Sequence, residues 1–348
     1  MEEIIVNAGE CQSRIYIGQH WKSVAGMLPE KRVLIITDDN VSGIYGKKFP
    51  DFPVLTIRPG EESKQLQTVE SLAAGLLENN IDRSGFLLGI GGGVVCDITG
   101  FLASVFMRGI SFGFVSTSLL SQVDASTGGK NGVNLGEVKN LIGVFRQPEF
   151  VICDTEMLRT LPEDEYFSGL AELIKTGIIG DASITESLEK NPGEFSKRDP
   201  VLLSDLVGRA VKYKASVVTA DEREAGMRRV LNFGHTFGHA IELHKGIKHG
   251  FAVAAGMELS LRWSRDLKYI DDETYDRFNN LFSLYNFSFG WDIPPDEMQK
   301  LIAYDKKKAG SDIHFVFIKG SGKPFVKLLP VSDLIDFYSR IIREKQKK

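Results

Sequence analysis

The sequence predicts an α/β protein of two domains, a parallel-sheet domain over residues 1–155 followed by a mainly α-helical domain over residues 156–348. Three observations lead there. The chain has 348 residues, more than a single compact core usually accommodates. Short apolar, β-branched runs alternate with helix-periodic segments through the first 155 residues, as in a doubly wound parallel sheet. Beyond that point helical periodicity takes over, with no low-complexity linker at the change.

In order, Val33-Leu34-Ile35-Ile36-Thr37 is a buried strand running into Asp38-Asp39-Asn40, a helix cap. Val54-Leu55-Thr56-Ile57 is a second strand, stopped by Pro59-Gly60. Residues 65–80 place Leu66, Val69, Leu72, Ala73, Leu76 and Leu77 at helical spacing and stop at Asn79-Asn80. Phe86-Leu87-Leu88 is a strand entering Gly89-Ile90-Gly91-Gly92-Gly93, and residues 112–116 and 150–153 are further buried strands. Pro162 followed by Glu163-Asp164-Glu165 opens a helix, since Pro suits the first turn and acids suit its positive end. Residues 314–318 form one late strand, and a basic-ended helix runs from Val331 to Lys348.

Composition narrows the function. Hydrophobic residues make up 43% and charged residues 25%, an ordinary globular balance. The net charge of −4 offers no basic excess for nucleic acid or an anionic membrane. No apolar run approaches the roughly 18 residues that a membrane span needs. Met1-Glu2-Glu3 is acidic where a signal peptide is basic, and the three cysteines form no CxxC pair. A reducing, cytoplasmic address is expected.

The glycine cluster Gly89–Gly93, followed by Asp97, stands where a strand turns into a helix. Such a turn is either simply tight or, in a Rossmann-like domain, a cradle for a diphosphate at a helix N-terminus. Asp38 and Asn40 fit a helix cap and a ribose-binding pair equally well. Of six histidines, His235, His239, His244 and His249 fall within one short segment. His235 and His239 stand at i, i+4, one face of a helix and a spacing that suits a divalent metal. Thr236 follows the first histidine, which excludes the zinc-protease pattern with Glu there. Glu172 and Lys175 lie at i, i+3 in an apolar helix, either as an ion pair or as a carboxylate partnered by a metal. Cations recur at turns: Arg108-Gly109, Gly128-Gly129-Lys130, Lys139-Asn140, Arg228 and Lys306-Lys307. Together they suit a polyanion bearing carboxylate and phosphate.

These segments, in this order, resemble the 3-dehydroquinate synthase family of sugar-phosphate cyclases over nearly the whole chain. The shared runs are Pro59-Gly60-Glu61-Glu62-Ser63-Lys64, Gly91–Asp97, Phe106-Met107-Arg108-Gly109, Ser118–Asp124, Gly128-Gly129-Lys130, Lys139–Gly143, Gly169-Leu170-Ala171-Glu172, Asp221–Glu224, Asn232–Glu242 and His249-Gly250.

The resemblance implies an active site in the cleft between the domains, holding NAD and one divalent metal, Zn2+ or Co2+. It implies conversion of 3-deoxy-arabino-heptulosonate 7-phosphate to 3-dehydroquinate and phosphate, on the route to chorismate and the aromatic amino acids. By position the metal ligands are Glu172, His235 and His249, with His239 a substrate contact. NAD meets Asp38, Asn40, Glu61, Lys64, Gly92, Gly93, Asp97, Thr117, Ser118 and Lys139. Substrate meets Asp124, Lys130, Asn140, Lys175, Lys214, Arg228, Asn232, His239 and Lys306, with Arg108 supplied by the second copy in a homodimer. The sequence departs from the family pattern at Cys96, Asn131, Val138 and Phe251, none of them a residue to which the resemblance gives a metal or phosphate. Two related activities share this plan. One is a cyclase making 2-deoxy-scyllo-inosose or an epi-valiolone. The other is a metal-dependent polyol dehydrogenase, which would release NADH.

Overall fold

The computed structural model describes residues 1–8, 11–30, 32–136, 138–288, 290–305 and 312–347. The chain folds into two compact units, each made of two stretches: Met1–Gly169 with Arg198–Arg223, and Leu170–Lys197 with Glu224–Lys348.

The first unit opens with β1 (Glu2–Ala8) and β2 (Cys11–Ile17), an antiparallel pair. Alternation in β1 turns Ile4, Val6 and Ala8 inward, a period-2 signal that the sequence reading passed over. There follow β3 (Val33–Asp38), α1 (Asp39–Tyr45), β4 (Val54–Ile57), α2 (Leu66–Glu78), β5 (Phe86–Gly91), α3 (Gly93–Val105) and β6 (Ser111–Ser116). Next come β7 (Lys130–Leu135), β8 (Val138–Phe145), β9 (Phe150–Cys153) and α4 (Glu163–Ile179). The main sheet has seven strands in the order β1-β2-β9-β6-β5-β3-β4, parallel throughout except for β1. β3, β5, β6 and β9 are near-continuous apolar runs because helices or loops cover both faces. Their inward side chains, including Ile35, Phe86, Leu88, Val115 and Ile152, form the core with Trp21.

β7 and β8 form a separate antiparallel hairpin that the sequence reading did not foresee. Its strands lack clean alternation, with Asn and Gly at interior positions.

After α4 come α5 (Ala182–Lys190) and α6 (Pro192–Ser196), and then α7 (Pro200–Ala220). The sequence reading placed everything after residue 155 in the helical domain, whereas α7 packs with the sheet unit. Lys212 of α7 pairs with Glu2 of β1 at 2.6 Å, and a Cβ at Gly18 would lie 2.8 Å from Ser204 Oγ. A helical apolar stripe says that a core exists beside it and not which one.

The second unit continues with α8 (His235–Lys245), α9 (His249–Asp266), α10 (Asp272–Leu284), α11 (Pro295–Asp305), the antiparallel hairpin β10 (Asp312–Ile318) and β11 (Pro324–Pro330), and α12 (Val331–Gln346). Here too one expected strand is a two-stranded hairpin. An aromatic core joins helices to hairpin: Trp263 stacks on Phe337 at 4.7 Å and meets Phe315 and Phe317 edge-on at 4.9 and 5.1 Å. Among the described residues no helix is long and apolar enough to cross a membrane.

Candidate active site

In the sheet unit the candidate cofactor residues gather at the carboxyl ends of neighbouring strands. Thr37 pairs with Ile90 and Gly91 with Ser116, so Asp38, Gly92 and Thr117 leave the sheet side by side. The chain runs outward from β3 to β4 and then resumes at β5 on the other side of β3. That reversal is a topological switch point, where doubly wound sheets bind ligands.

Gly92 is the N-cap of α3 and has no side chain to accept the first-turn N–H groups. A Cβ at Gly92 would stand 3.3 Å from Ser118 Oγ, and one at Gly93 3.2 Å from Ala125 Cβ. A bare backbone at a helix N-terminus fits the diphosphate of a dinucleotide. Asp38 is the N-cap of α1, accepting from Val41 N–H at 2.9 Å, and burial raises its carboxyl above the usual range. Asn40 is exposed in the first turn of α1.

A polar chain joins most of the remaining candidates. Buried Lys64 Nζ lies 2.5 Å from Asp97 Oδ2 and donates to Asn140 Oδ1. Asn134 donates to Glu61 at 2.9 Å and accepts from Asn140 N–H at 2.8 Å, holding Asn140 at φ +53°. Burial raises the Asp97 carboxyl, against the pull of Lys64. Ser118 Oγ lies 3.0 Å from Ser121 Oγ. Asp124 sits in one turn of π-helix, and Lys214 donates to both its carboxylate, at 2.6 Å, and its backbone carbonyl. Lys130 and Lys139 are exposed on β7 and β8. Lys130 follows Gly128 and Gly129, whose φ of +105° and +67° only glycine adopts readily. Arg108 is exposed on a turn where Met107, Arg108 and Gly109 all have positive φ.

In the second unit Glu172 projects from α4, and His235 and His249 are the first residues of α8 and α9. Gly234 makes this start possible: its φ is +80°, and a Cβ there would meet backbone atoms of Val253 and Met257 at 2.9 Å. His235 Nε2 and His249 Nε2 lie 3.7 and 3.5 Å from Glu172 Oε1. The opposite ring nitrogens are engaged from behind. His235 Nδ1 is 3.2 Å from the Phe233 carbonyl and His249 Nδ1 is 3.1 Å from Glu242 Oε2.

The ligand atoms of Glu172, His235 and His249 lie within 4.8 Å of one another. One carboxylate and two imidazoles, each imidazole with its other nitrogen occupied, fit a zinc-like divalent ion and leave coordination positions open. His239, Glu242 and His249 form a second group within the same limit. Lys175 pairs with Glu172 and is 2% exposed.

Electrostatics separate the two candidate imidazoles. Burial and the Lys175 charge hold His235 well below its ordinary pKa, so it is neutral at pH 7. Burial lowers His249 as well, but hydrogen bonds to Glu172 and Glu242 outweigh it and raise the pKa to about 9.

Arg228 is buried, 2% exposed, and Asn232 donates to Glu224. Lys306 lies outside the described residues. Glu224, Asn134 and Glu242 had no role in the sequence reading. Glu224 and Glu242 stand in runs shared with the family, but nothing in spacing shows which histidine or amide each carboxylate reaches.

Sequence profiles described as 3-dehydroquinate synthase N-terminal and 3-dehydroquinate synthase C-terminal match residues 54–168 and 169–308. The 3-dehydroquinate synthase of Halorhodospira halophila is 39% identical over 332 residues, which is 92% of this chain and 94% of that protein. That of Thermodesulfovibrio yellowstonii is 39% identical over 342 residues, 93% of this chain and 95% of that protein. A solved 2-deoxy-scyllo-inosose synthase, complexed with carbaglucose-6-phosphate, NAD+ and Co2+, superposes with a TM-score of 0.84 at 26% identity, covering 99% of this chain and 100% of that one. The chain belongs to the 3-dehydroquinate synthase family.

Proposed function

We propose that this chain is a cytoplasmic, homodimeric lyase that converts 3-deoxy-D-arabino-heptulosonate 7-phosphate to 3-dehydroquinate and phosphate. The observation that carries the reading is the Glu172, His235 and His249 donor set in a chain of this family. The curated relatives, 3-dehydroquinate synthases at 39% identity, favour this reaction over that of the 2-deoxy-scyllo-inosose synthase at 26%. That neighbour's NAD+ and Co2+ support the same pair of cofactors here.

Glu172, His235 and His249 hold the divalent metal. Asp38, Asn40, Glu61, Lys64, Gly92, Gly93, Asp97, Thr117, Ser118 and Lys139 hold NAD. When bound, NAD supplies a transient hydride acceptor for the C5 hydroxyl, and the metal supplies Lewis-acid polarisation of neighbouring oxygens.

The protein's own task is to bind and orient. Lys130, Lys175, Lys214, Arg228 and Lys306 meet the carboxylate and phosphate as charge-assisted donors, and Arg108 does so for the second copy. Asp124, Asn140, Asn232 and His239 fix the hydroxyls. With C5 at the ketone level the adjacent C–H would be acidic, so phosphate would leave by elimination and itself take up that proton. With C5 restored to the alcohol, ring opening would give the enolate that closes the carbocycle by an aldol step. His235, neutral at pH 7, is ready to donate a lone pair.

The test is phosphate release from the heptulosonate phosphate, with and without chelator, followed together with absorbance at the NADH band. Phosphate release that needs the metal and accumulates no NADH is expected. NADH growing in step with turnover would instead mark a polyol dehydrogenase.

A further inference from the structure

We infer that Glu242 is a positioning residue for the metal: its carboxylate holds the His249 ring from behind and makes Nε2 the stronger of the two imidazole donors. The inference rests on the ligand set proposed above.

Glu242 lies seven residues after His235 on α8, two helical turns along the same face. The chain then turns through Gly246, at φ +62°, and begins α9 with His249. The Glu242 side chain thereby meets the ring that opens the next helix, Oε2 to Nδ1 at 3.1 Å. Glu242 itself is only 8% exposed. His249 is bracketed by two carboxylates, one at each ring nitrogen, since Nε2 lies 3.5 Å from Glu172 Oε1.

His235 is oriented in the same sense but by a weaker acceptor, the neutral Phe233 carbonyl at 3.2 Å. A carboxylate draws the Nδ1 proton more strongly than a peptide carbonyl does, which leaves more electron density on Nε2. The two imidazoles are thus matched in direction and unequal in basicity. Of the two Nδ1 partners, only the one on His249 is a side chain that a substitution can change.

Glu242 also belongs to the second donor group, with His239 and His249. A direct ligand and a supporting acceptor behave differently on substitution. Glu242→Gln keeps shape and an acceptor oxygen but loses the charge, and Glu242→Ala loses both.

The measurement is Zn2+ affinity of the full-length chain, by competition with a chromophoric chelator, together with zinc content at saturation. Expected is weakening of about tenfold for Glu242→Gln and up to about 100-fold for Glu242→Ala, the range for outer partners of ligating histidines, with one zinc per chain retained. Unchanged affinity in Glu242→Gln and Glu242→Ala overturns the inference. So does a complete loss of zinc in Glu242→Ala matching that in His249→Ala, which would make Glu242 a ligand. If Glu242→Ala does not fold, Glu242→Gln decides alone. Full zinc affinity in both His235→Ala and His249→Ala removes the ligand set itself, and the inference falls with it.

Discussion

Lys214 on α7 donates to both the carboxylate and the backbone carbonyl of Asp124, the carboxylate bond measuring 2.6 Å. The lysine is 8% exposed, so the bond holds a buried ammonium at a defined point beside the π-turn. Lys214→Met is expected to lower kcat/KM by about 10²-fold or more, the scale of losing a positioned charge. Asp124→Asn frees the ammonium to drift and should cost less. The double variant should lose less than the two single losses combined, because the ion pair couples the two residues. Steady-state kinetics of the three variants checks this, and additive losses would show independent roles.

Metal content separates the two histidine groupings. Glu172→Ala and His249→Ala should lose bound zinc, while His239→Ala should keep it and lose turnover. Elemental analysis after dialysis decides the matter. Zinc lost with His239 and kept without His249 would favour the i, i+4 pair on α8.

Part of that site was legible in the sequence and part was not. The i, i+4 spacing of His235 and His239 is a local fact, and the helix it implies is there as α8. The approach of His249 is not local, since it depends on a turn at Gly246 and on α9 folding back along α8. The ordered motifs of the family pointed to it, and the position of His249 before Gly250 at a helix start agreed. The parallel strands were readable because burial on both faces leaves continuous apolar runs. The β7–β8 hairpin and the β1–β2 pair were missed, the hairpin because it carries Asn and Gly where strand residues were sought, the pair because its alternation begins with charged residues.

Gly256 shows how closely α9 lies against the start of α8. A Cβ there would stand 2.0 Å from the Gly234 carbonyl oxygen and 2.7 Å from Gly238 N, both backbone atoms. Backbone cannot yield as a side-chain tip does. Gly256→Ala should therefore destabilise by about 1–3 kcal/mol or more, the cost of overpacking a core. It should also weaken zinc binding, because Gly234 sets the first turn that carries His235. Thermal melts and chelator competition test both. A variant with wild-type Tm would contradict the packing argument.

Metal-free protein should show His249 in its pH profile. Its folded pKa of about 9 lies above the ordinary 6.5, so folding favours the imidazolium. That contribution is complete below pH 6.5 and is lost as pH rises through 9. The Tm of chelator-treated protein should fall across this window. Glu242→Gln should flatten the fall, since it removes one of the two carboxylates responsible. Zinc affinity should climb over the same window, because the metal needs the neutral ring. A metal-free Tm that stays level from pH 6.5 to 9 in the parent protein contradicts the assignment.

α7 is also a matter of timing. The ribosome releases β1 first, yet the helix whose Lys212 pairs with Glu2 is made only after β9, α4, α5 and α6. At typical synthesis rates the interval is roughly 10–40 s. Throughout it, the nascent N-terminal unit lacks its last helix and shows apolar surface to whatever is nearby. Chaperone dependence, and the failure of fragments cut near residue 155, would follow from the order in which the chain emerges rather than from the stability of the finished fold.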